Sequence, residues 1–466
     1  MSALKVGFAR TNITPMSDIA VCGYFKPRFA TGVLDDLEVN ACAIEIKEKK
    51  VLLISADLCH FSTEVADRIR KEIEKRTGVP YEAIFLSATH THTSPYIGKC
   101  TEGNEDEDGK SFSPEYIDQL VKQYTELFVV KTVDAAIYAL ADLKSAKMGI
   151  GFSKAPGIAF VRRYIMKDGS VRTNPGVNNP DVVRPVGEID DSVNVIRFDR
   201  EGGETVVIAH FGCHPDVVGG TMISADWPGF FRRQFEKAVD NTKCIFFNGA
   251  QGDINHVNVF PKAGDFNDMF NDFDGVSRGY GHARHMGRVV AAAVLQVYDK
   301  VEYIEPDSLD YVQTTVNLPS QMPSDIDDID VATAHKYVEL HEAGKDSEIP
   351  YKAMMLTTIV AEALRICRWE NGPETIPMYL TALRIGDVAL LGIPGEPFNG
   401  ISKIIKSTPG WKMICPVILT NGSTGYFPMM DSYTEGGYEA RSSEFKAGVA
   451  ELIASECQKL MGEIKA

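Results

Sequence analysis

The chain has 466 residues, 44% of them hydrophobic and 24% charged, with a formal net charge of −16. This is ordinary globular composition, enough chain for two or three domains or for one large α/β domain with insertions. The acidic balance argues against a nucleic-acid partner, whose phosphates need clustered Lys and Arg, and no run of about 18 apolar residues is present to cross a bilayer.

The opening Met1-Ser2-Ala3-Leu4-Lys5-Val6 lacks the basic-then-apolar layout of a secretory signal. Nine cysteines, scattered from Cys22 to Cys457 without a Cys-x-x-Cys, read as reduced thiols of a cytoplasmic protein. The first 60 residues are β-rich: Val6–Arg10, an alternating run over 41–48, and Val51–Asp57, a buried strand ending in a carboxylate. Ser62 then caps a helix to about Arg76, stopped by Gly78 and Pro80. The strand Ile84-Phe85-Leu86-Ser87-Ala88 follows and rises into Thr89-His90-Thr91-His92, ending at Pro95. Residues two apart on a strand leave by one face, so His90 and His92 are expected to project together, as metal-ligating imidazoles or as two polar loop residues. Asp57 would stand at the same sheet edge, either backing a histidine or capping the helix.

Residues 101–110 read as a solvated acidic loop without EF-hand spacing. A helix is expected from Pro114 to about Leu143 and a strand from Met148. The stretch from Phe160 through Arg162-Arg163 to Asn178-Asn179-Pro180 is turn-rich, and its arginines either hold an anionic or carbonyl group or are surface charges. Val193–Phe198 and Val206–Phe211 form a hairpin that runs on to Cys213-His214-Pro215-Asp216. A helix opens at Ser224-Ala225-Asp226, and the strand Cys244–Phe247 empties into Asn248-Gly249-Ala250-Gln251-Gly252-Asp253-Ile254-Asn255-His256, a loop whose amides can face a substrate oxygen. That corner lacks the serine of a nucleophile elbow. His282 and His285 fit a partly exposed helix face better than a metal.

Residues 324–369 read as two helices, with Asp325-Ile326-Asp327-Asp328 at the positive end of a helix dipole, packed outside or capping the site. Strands return over 378–385 and 388–393, the second breaking at Pro394-Gly395-Glu396-Pro397. Glu396 is either lifted into a site or an N-cap ahead of Phe398. A strand over 413–420 precedes Asn421–Pro428, and the chain closes through Tyr438 and a final helix.

These segments together resemble the catalytic domain of the neutral/alkaline (non-lysosomal) ceramidases. The matching stretches are Gly7-Phe8-Ala9-Arg10-Thr11-Asn12-Ile13-Thr14-Pro15, Thr89-His90-Thr91-His92, Cys213-His214-Pro215, Gln251-Gly252-Asp253, Pro394-Gly395-Glu396 and the tyrosine-bearing tail. The resemblance implies an α/β fold, a mixed β-sheet core with flanking helices, as one large catalytic domain over residues 1–466 with 320–370 as a helical insertion or cap. It implies one zinc ion per chain and hydrolysis of an N-acyl amide, as in sphingolipid metabolism. The zinc ligands would be His90, His214, Glu396 and Tyr426. His92, Arg162 and Tyr438 would surround the scissile carbonyl, although the two tyrosines also fit plain aromatic packing.

Two departures bear on the chemistry. Where ceramidases have Gly-Asp-Val-Ser-Pro-Asn, this chain has Gly252-Asp253-Ile254-Asn255-His256-Val257, so Asn255 replaces the family serine. Attack by metal-activated water is therefore expected, with Asn255 and His256 orienting it or donating to the oxyanion. The absence of a secretory signal and of a C-terminal immunoglobulin-like domain points to a small soluble amide or ester as well as a lipid. Two alternatives remain: a binuclear His-x-His amidohydrolase or esterase with Asp226 or Asp253 at a second metal, and a non-catalytic ligand-binding relative.

Overall fold

The computed structural model describes residues 4–15, 18–25, 28–100, 109–272 and 275–465. Residues 101–108 of the expected acidic loop lie outside that set. Strands β1 (Leu4–Asn12), β2 (Glu38–Ile46) and β3 (Lys49–Ala56) form an antiparallel meander. Helix α1 (Thr63–Thr77) then crosses to β4 (Ile84–Ala88), which pairs parallel to β3. The Ser62 hydroxyl accepts from the Val65 amide at 3.4 Å. Gly78 ends α1 at φ +73°, where a Cβ would strain the backbone.

Helix α2 (Pro114–Ala141) leads to β5 (Lys144–Lys154), β6 (Ser192–Arg200), β7 (Thr205–Phe211), helix α3 (Asp226–Ala238) and β8 (Thr242–Asn248). In space one sheet runs β8-β7-β6-β5-β1-β2-β3-β4, with the short strand Glu302–Ile304 beside β5. The sheet curls until β8 meets β3 and β4. Ser55 Oγ donates to the Phe246 carbonyl at 2.6 Å, and Phe85 meets Phe247 edge-on at 6.2 Å.

After helix α4 (Tyr280–Tyr298), a second sheet is laid down by β9 (Leu309–Pro319), β10 (Thr375–Ile385), β11 (Val388–Gly392) and, beyond β12 (Glu396–Pro397) and α7 (Asn399–Lys406), β13 (Met413–Val417). Helices α5 (Val331–Glu342) and α6 (Ala353–Trp369) interrupt it as a hairpin. β14 (Tyr426–Phe427), α8 (Tyr438–Ser442) and α9 (Val449–Glu463) complete the chain. Two asparagines staple the strand ends of the sheets together. The Asn421 amide donates to the Leu86 carbonyl at 2.7 Å while its side-chain oxygen accepts from the Leu86 amide at 3.0 Å. Asn248 Nδ2 donates to the Thr89 and Cys213 carbonyls, each at 3.1 Å. The carboxyl ends of β4, β7, β8, β11 and β13 therefore face one place, the usual position for a ligand in α/β sheets.

Two expected features differ. The turn-rich stretch after Phe160 contains a small sheet in which Arg163–Met166 pairs with Val171–Thr173 and Val182–Pro185. Strands of three or four residues carry too little alternation to be read from sequence. The acidic run at 325–328 does not open a helix, because Asp330 caps α5 by accepting from the Thr333 amide at 2.7 Å. Asp327 and Asp328 instead take Arg365 at 2.5 Å and Arg441 at 3.0 Å. With Glu362 accepting the Asp328 amide at 3.0 Å and Arg365 Nε donating to the Arg441 carbonyl at 3.0 Å, the hairpin is fastened to α8 by a buried charge network.

Candidate metal centre

β4 stops at Ala88, so His90 and His92 do not leave as alternate residues of a strand. His90 sits at φ +77°, a conformation that costs a non-glycine residue about 1–3 kcal/mol. The Thr89 amide donates to Ala56 at 2.9 Å and the His90 amide to Leu58 at 2.8 Å, fixing that turn. It swings the two imidazoles toward one point, with Nε2 atoms 3.2 Å apart. Asp57 neither backs His90 nor caps α1. Its carboxylate is buried against Arg232 at 2.5 Å and accepts the Glu38 amide at 2.9 Å, and His90 Nδ1 donates instead to the Cys59 carbonyl at 2.8 Å.

His214 follows β7 and directs Nδ1 at the Gln251 and Ile254 carbonyls, at 2.9 and 3.0 Å. Glu396 stands opposite Tyr426 in the short parallel pairing of β12 with β14. It does not cap α7. Gly252 lets the loop lie flat against it, since a Cβ there would come within 2.5 Å of the Glu396 carbonyl oxygen. Glu396 Oε2 is 3.2 Å from His90 Nε2 and 3.1 Å from His214 Nε2, and all three residues are buried.

Carbonyl oxygens only accept, so both Nδ1 atoms carry the proton and the neutral rings point bare Nε2 lone pairs at the carboxylate. Burial, reinforced by the Arg162 charge, holds the His214 imidazolium below its ordinary pKa. Three acceptors converge here beside two donors, Gln251 Nε2 at 3.3 Å from Glu396 and Arg162 Nη1 at 3.5 Å from His214, an arrangement that a bound cation would satisfy. Two nitrogens and one oxygen are a donor set that suits zinc, and these residues form a group able to hold a metal ion.

The remaining expected residues fall into two sets. Tyr426 and Tyr438 meet edge-on at 5.5 Å, with the Arg162 guanidinium carbon 5.5 and 6.0 Å from their ring centres. Burial first, then the Glu396 charge, keeps both phenols protonated. Arg162 donates through Nε to Glu439 at 2.6 Å and through Nη2 to the Gly252 carbonyl at 2.7 Å, leaving Nη1 3.5 Å from His214 Nε2. Arg163 turns away to the Ser432 hydroxyl at 2.8 Å and the Gly436 carbonyl at 2.9 Å. His92 is kept neutral chiefly by burial, with its Nδ1 3.7 Å from Asp216, itself bonded to the Tyr24 hydroxyl.

The Asn255 side chain is engaged at both ends. Its amide nitrogen donates to Asn174 Oδ1 at 2.9 Å and its oxygen accepts the Val257 amide at 3.1 Å. His256 is buried with its ring 6.4 Å from that of His282 and is not among the residues that line the site cavity. The amides of Gly249, Gly252 and Ile254 donate to the carbonyls of Phe211, Pro397 and Gln251, so they form no oxyanion cradle. Asp226 accepts the Val217 and Val218 amides at 2.9 Å, and Asp253 accepts the Asn399 amide at 2.7 Å. Among the described residues, no group of three metal-ligating side chains includes either aspartate. His282 pairs with Asp268 at 2.8 Å.

A cavity of about 890 Å³ opens over the centre. His92, Arg162, Tyr426, Tyr438 and Asp216 line its base, and Phe25 with Met354, Leu356 and Val360 of the α5–α6 region lines an apolar wall. Sequence reasoning gave no role to Asp216, Glu439 or Gln251, whose Nε2 donates to Glu396 at 3.3 Å. Their adjacency to His214, Tyr438 and Gly252 was the available signal.

No protein-family model and no curated protein sequence matches the chain. Solved structures that share its fold include two ceramidases. Neutral ceramidase from Pseudomonas aeruginosa superposes with a TM-score of 0.70 at 16% identity, over 98% of this chain and 74% of that one. A ceramidase complexed with C2 gives a TM-score of 0.72 at 15% identity, over 99% and 75%. The mixed α/β architecture expected from the motifs is thus the ceramidase fold. No helix among the described residues is long and apolar enough to cross a membrane.

Proposed function

We propose that the chain is a zinc-dependent hydrolase of linear N-acyl amides, ceramidase-like, with one ion per chain held by His90, His214 and Glu396 and completed by Tyr426. The observation that carries this reading is the convergence of two bare Nε2 atoms on one carboxylate oxygen, at 3.2 and 3.1 Å, behind His92, Arg162 and Tyr426, which line a cavity. When bound, the metal would supply Lewis-acid polarisation of a carbonyl and acidification of water.

The chain's own residues supply the rest. Arg162 Nη1 and the Tyr438 hydroxyl are donors placed to take up the charge that develops on the carbonyl oxygen. His92, neutral and backed by the Asp216 carboxylate, accepts the proton of the attacking water and returns it to the leaving nitrogen. Attack by water, not by a side chain, follows from Asn255 being held by Asn174 and Val257. The apolar wall suits an acyl chain, and a lipid amide such as a ceramide and a shorter N-acyl amide both remain within the reading. Turnover of an N-acyl panel of graded chain length, with zinc and with a chelator, tests it. Cleavage lost on chelation and restored by one zinc per chain is expected. A panel left intact in the presence of zinc overturns the proposal, and a second tightly held ion that is lost together with the first in Glu396→Gln would favour the binuclear alternative.

A further inference from the structure

Beside the centre lies a second cluster of donors that the reaction does not use. We propose that Cys22, Cys59 and His60 form a separate metal site for one thiophilic cation, of the Cu(I), Zn(II) or Cd(II) class. One donor atom from each residue lies within 4.8 Å of the other two, and Cys22 Sγ is 3.6 Å from His60 Nδ1. Both cysteines are buried, at 2% and 3% exposure, among Ala20, Phe29, Tyr96 and Ile117. His60 is half-buried, so the cluster has one side toward solvent.

The backbone holds both thiols before any ion arrives. The Cys22 amide donates to the Ser94 carbonyl and the Cys59 amide to the Ser94 hydroxyl, each at 2.8 Å. Arg28 donates to the Cys22 carbonyl at 2.7 Å, placing a positive charge beside thiols that become thiolates on loading. Two sulfurs and one imidazole prefer soft cations, whereas the His90 centre offers nitrogen and oxygen. Cys59 also lies near His90 and His92, its Sγ 3.8 Å from His90 Nδ1, but that nitrogen is engaged by the Cys59 carbonyl at 2.8 Å and His90 Nε2 faces Glu396 at 3.2 Å. The thiolate therefore belongs with Cys22. A divalent cation entering displaces both thiol protons to solvent and binds two thiolates and neutral His60. Because the Cys59 carbonyl also orients His90, an ion here would act on the neighbouring centre through a single residue.

The test uses the reduced, metal-free full chain titrated with cadmium alone, read by thiolate-to-cadmium ultraviolet absorption and proton release. The wild type should develop the thiolate band. Cys22→Ser should abolish it, and Glu396→Gln should retain it. His60→Gln, at a half-buried position, should weaken the band-bearing equivalent by more than about tenfold, since even an outer-shell loss costs that much. This keeps the test open if Cys22→Ser fails to fold. The proposal does not depend on amidase activity, because an inactive chain would show the same band. A wild type without the band, a band surviving Cys22→Ser, a band lost with Glu396→Gln, or thiol titration finding Cys22 and Cys59 joined as a disulfide would each overturn it.

Discussion

Glu396→Gln separates the need for a cation from every other role of that residue. In the chelated wild type, Glu396 Oε2 faces two acceptor nitrogens at 3.2 and 3.1 Å with no proton between them. A glutamine amide nitrogen in that position donates one hydrogen to each ring, each bond contributing about 1 kcal/mol, and removes a buried charge, which offsets the loss of the bond that Oε2 accepts from Gln251. The metal-free variant should therefore be more stable than the metal-free wild type by about 2 kcal/mol. For a chain of 466 residues unfolding as one unit, the unfolding entropy is about 1 kcal/mol/K, so the melting temperature rises by about 2 °C. Zinc at about a thousandfold above its dissociation constant should stabilise the wild type by about 4 kcal/mol, or about 4 °C, more than the variant, any ion at the Cys22 cluster acting on both alike. Scanning calorimetry of both proteins, with chelator and with zinc, reads all four states. A chelated variant melting below the chelated wild type refutes the crowded-acceptor argument, and an equal zinc response in both refutes the ligand assignment.

Arg162→Lys keeps the charge but loses the fork that spans Glu439 and the Gly252 carbonyl; kcat should fall about 10²–10³-fold with KM nearly unchanged, in steady-state assays on whichever amide the panel identifies. Asn255→Ala removes a bond to the Val257 amide and should slow turnover only about fivefold, the worth of about 1 kcal/mol; loss of all turnover would make Asn255 a direct participant. Arg232→Met strands the Asp57 carboxylate in the core and should cost about 3–5 kcal/mol in urea unfolding, partly regained by adding Asp57→Asn. His210 donates to the Pro416 carbonyl at 2.7 Å and burial pushes its pKa from 6.5 down to about 3. The unfolded chain takes up that proton first, so the contribution is complete above pH 6.5 and is lost as pH falls toward 3, up to about 5 kcal/mol. His210→Gln should flatten the stability profile across that window.

The sheet scaffold was legible because its strands are apolar runs of five to eleven residues bounded by glycine, proline or capping serine. The identities of His90, His214 and Glu396 were legible as polar residues breaking off strand ends. How His90 gets there was not, because a left-handed turn at a histidine leaves no pattern in the sequence. Asp57 misled because a carboxylate at a strand end looks the same whether its partner is a histidine next in space or an arginine 175 residues away. The partners of Asn255 and His256 were not legible either, because neighbours in the chain can take separate contacts, here Asn174 for one and the His282 ring for the other. The split of Arg162 from Arg163 is the same effect read correctly only in three dimensions.

The fastening of the α5–α6 hairpin to α8 has a consequence for how substrate enters. Tyr438 begins α8, and Arg441 one turn later grips Asp328 at the root of the hairpin. A hinged flap swinging outward on its own is incompatible with that weld. On the proposed function, any widening of the mouth on this side would carry the phenol with it, so that admission of a guest and withdrawal of a carbonyl donor would be one motion.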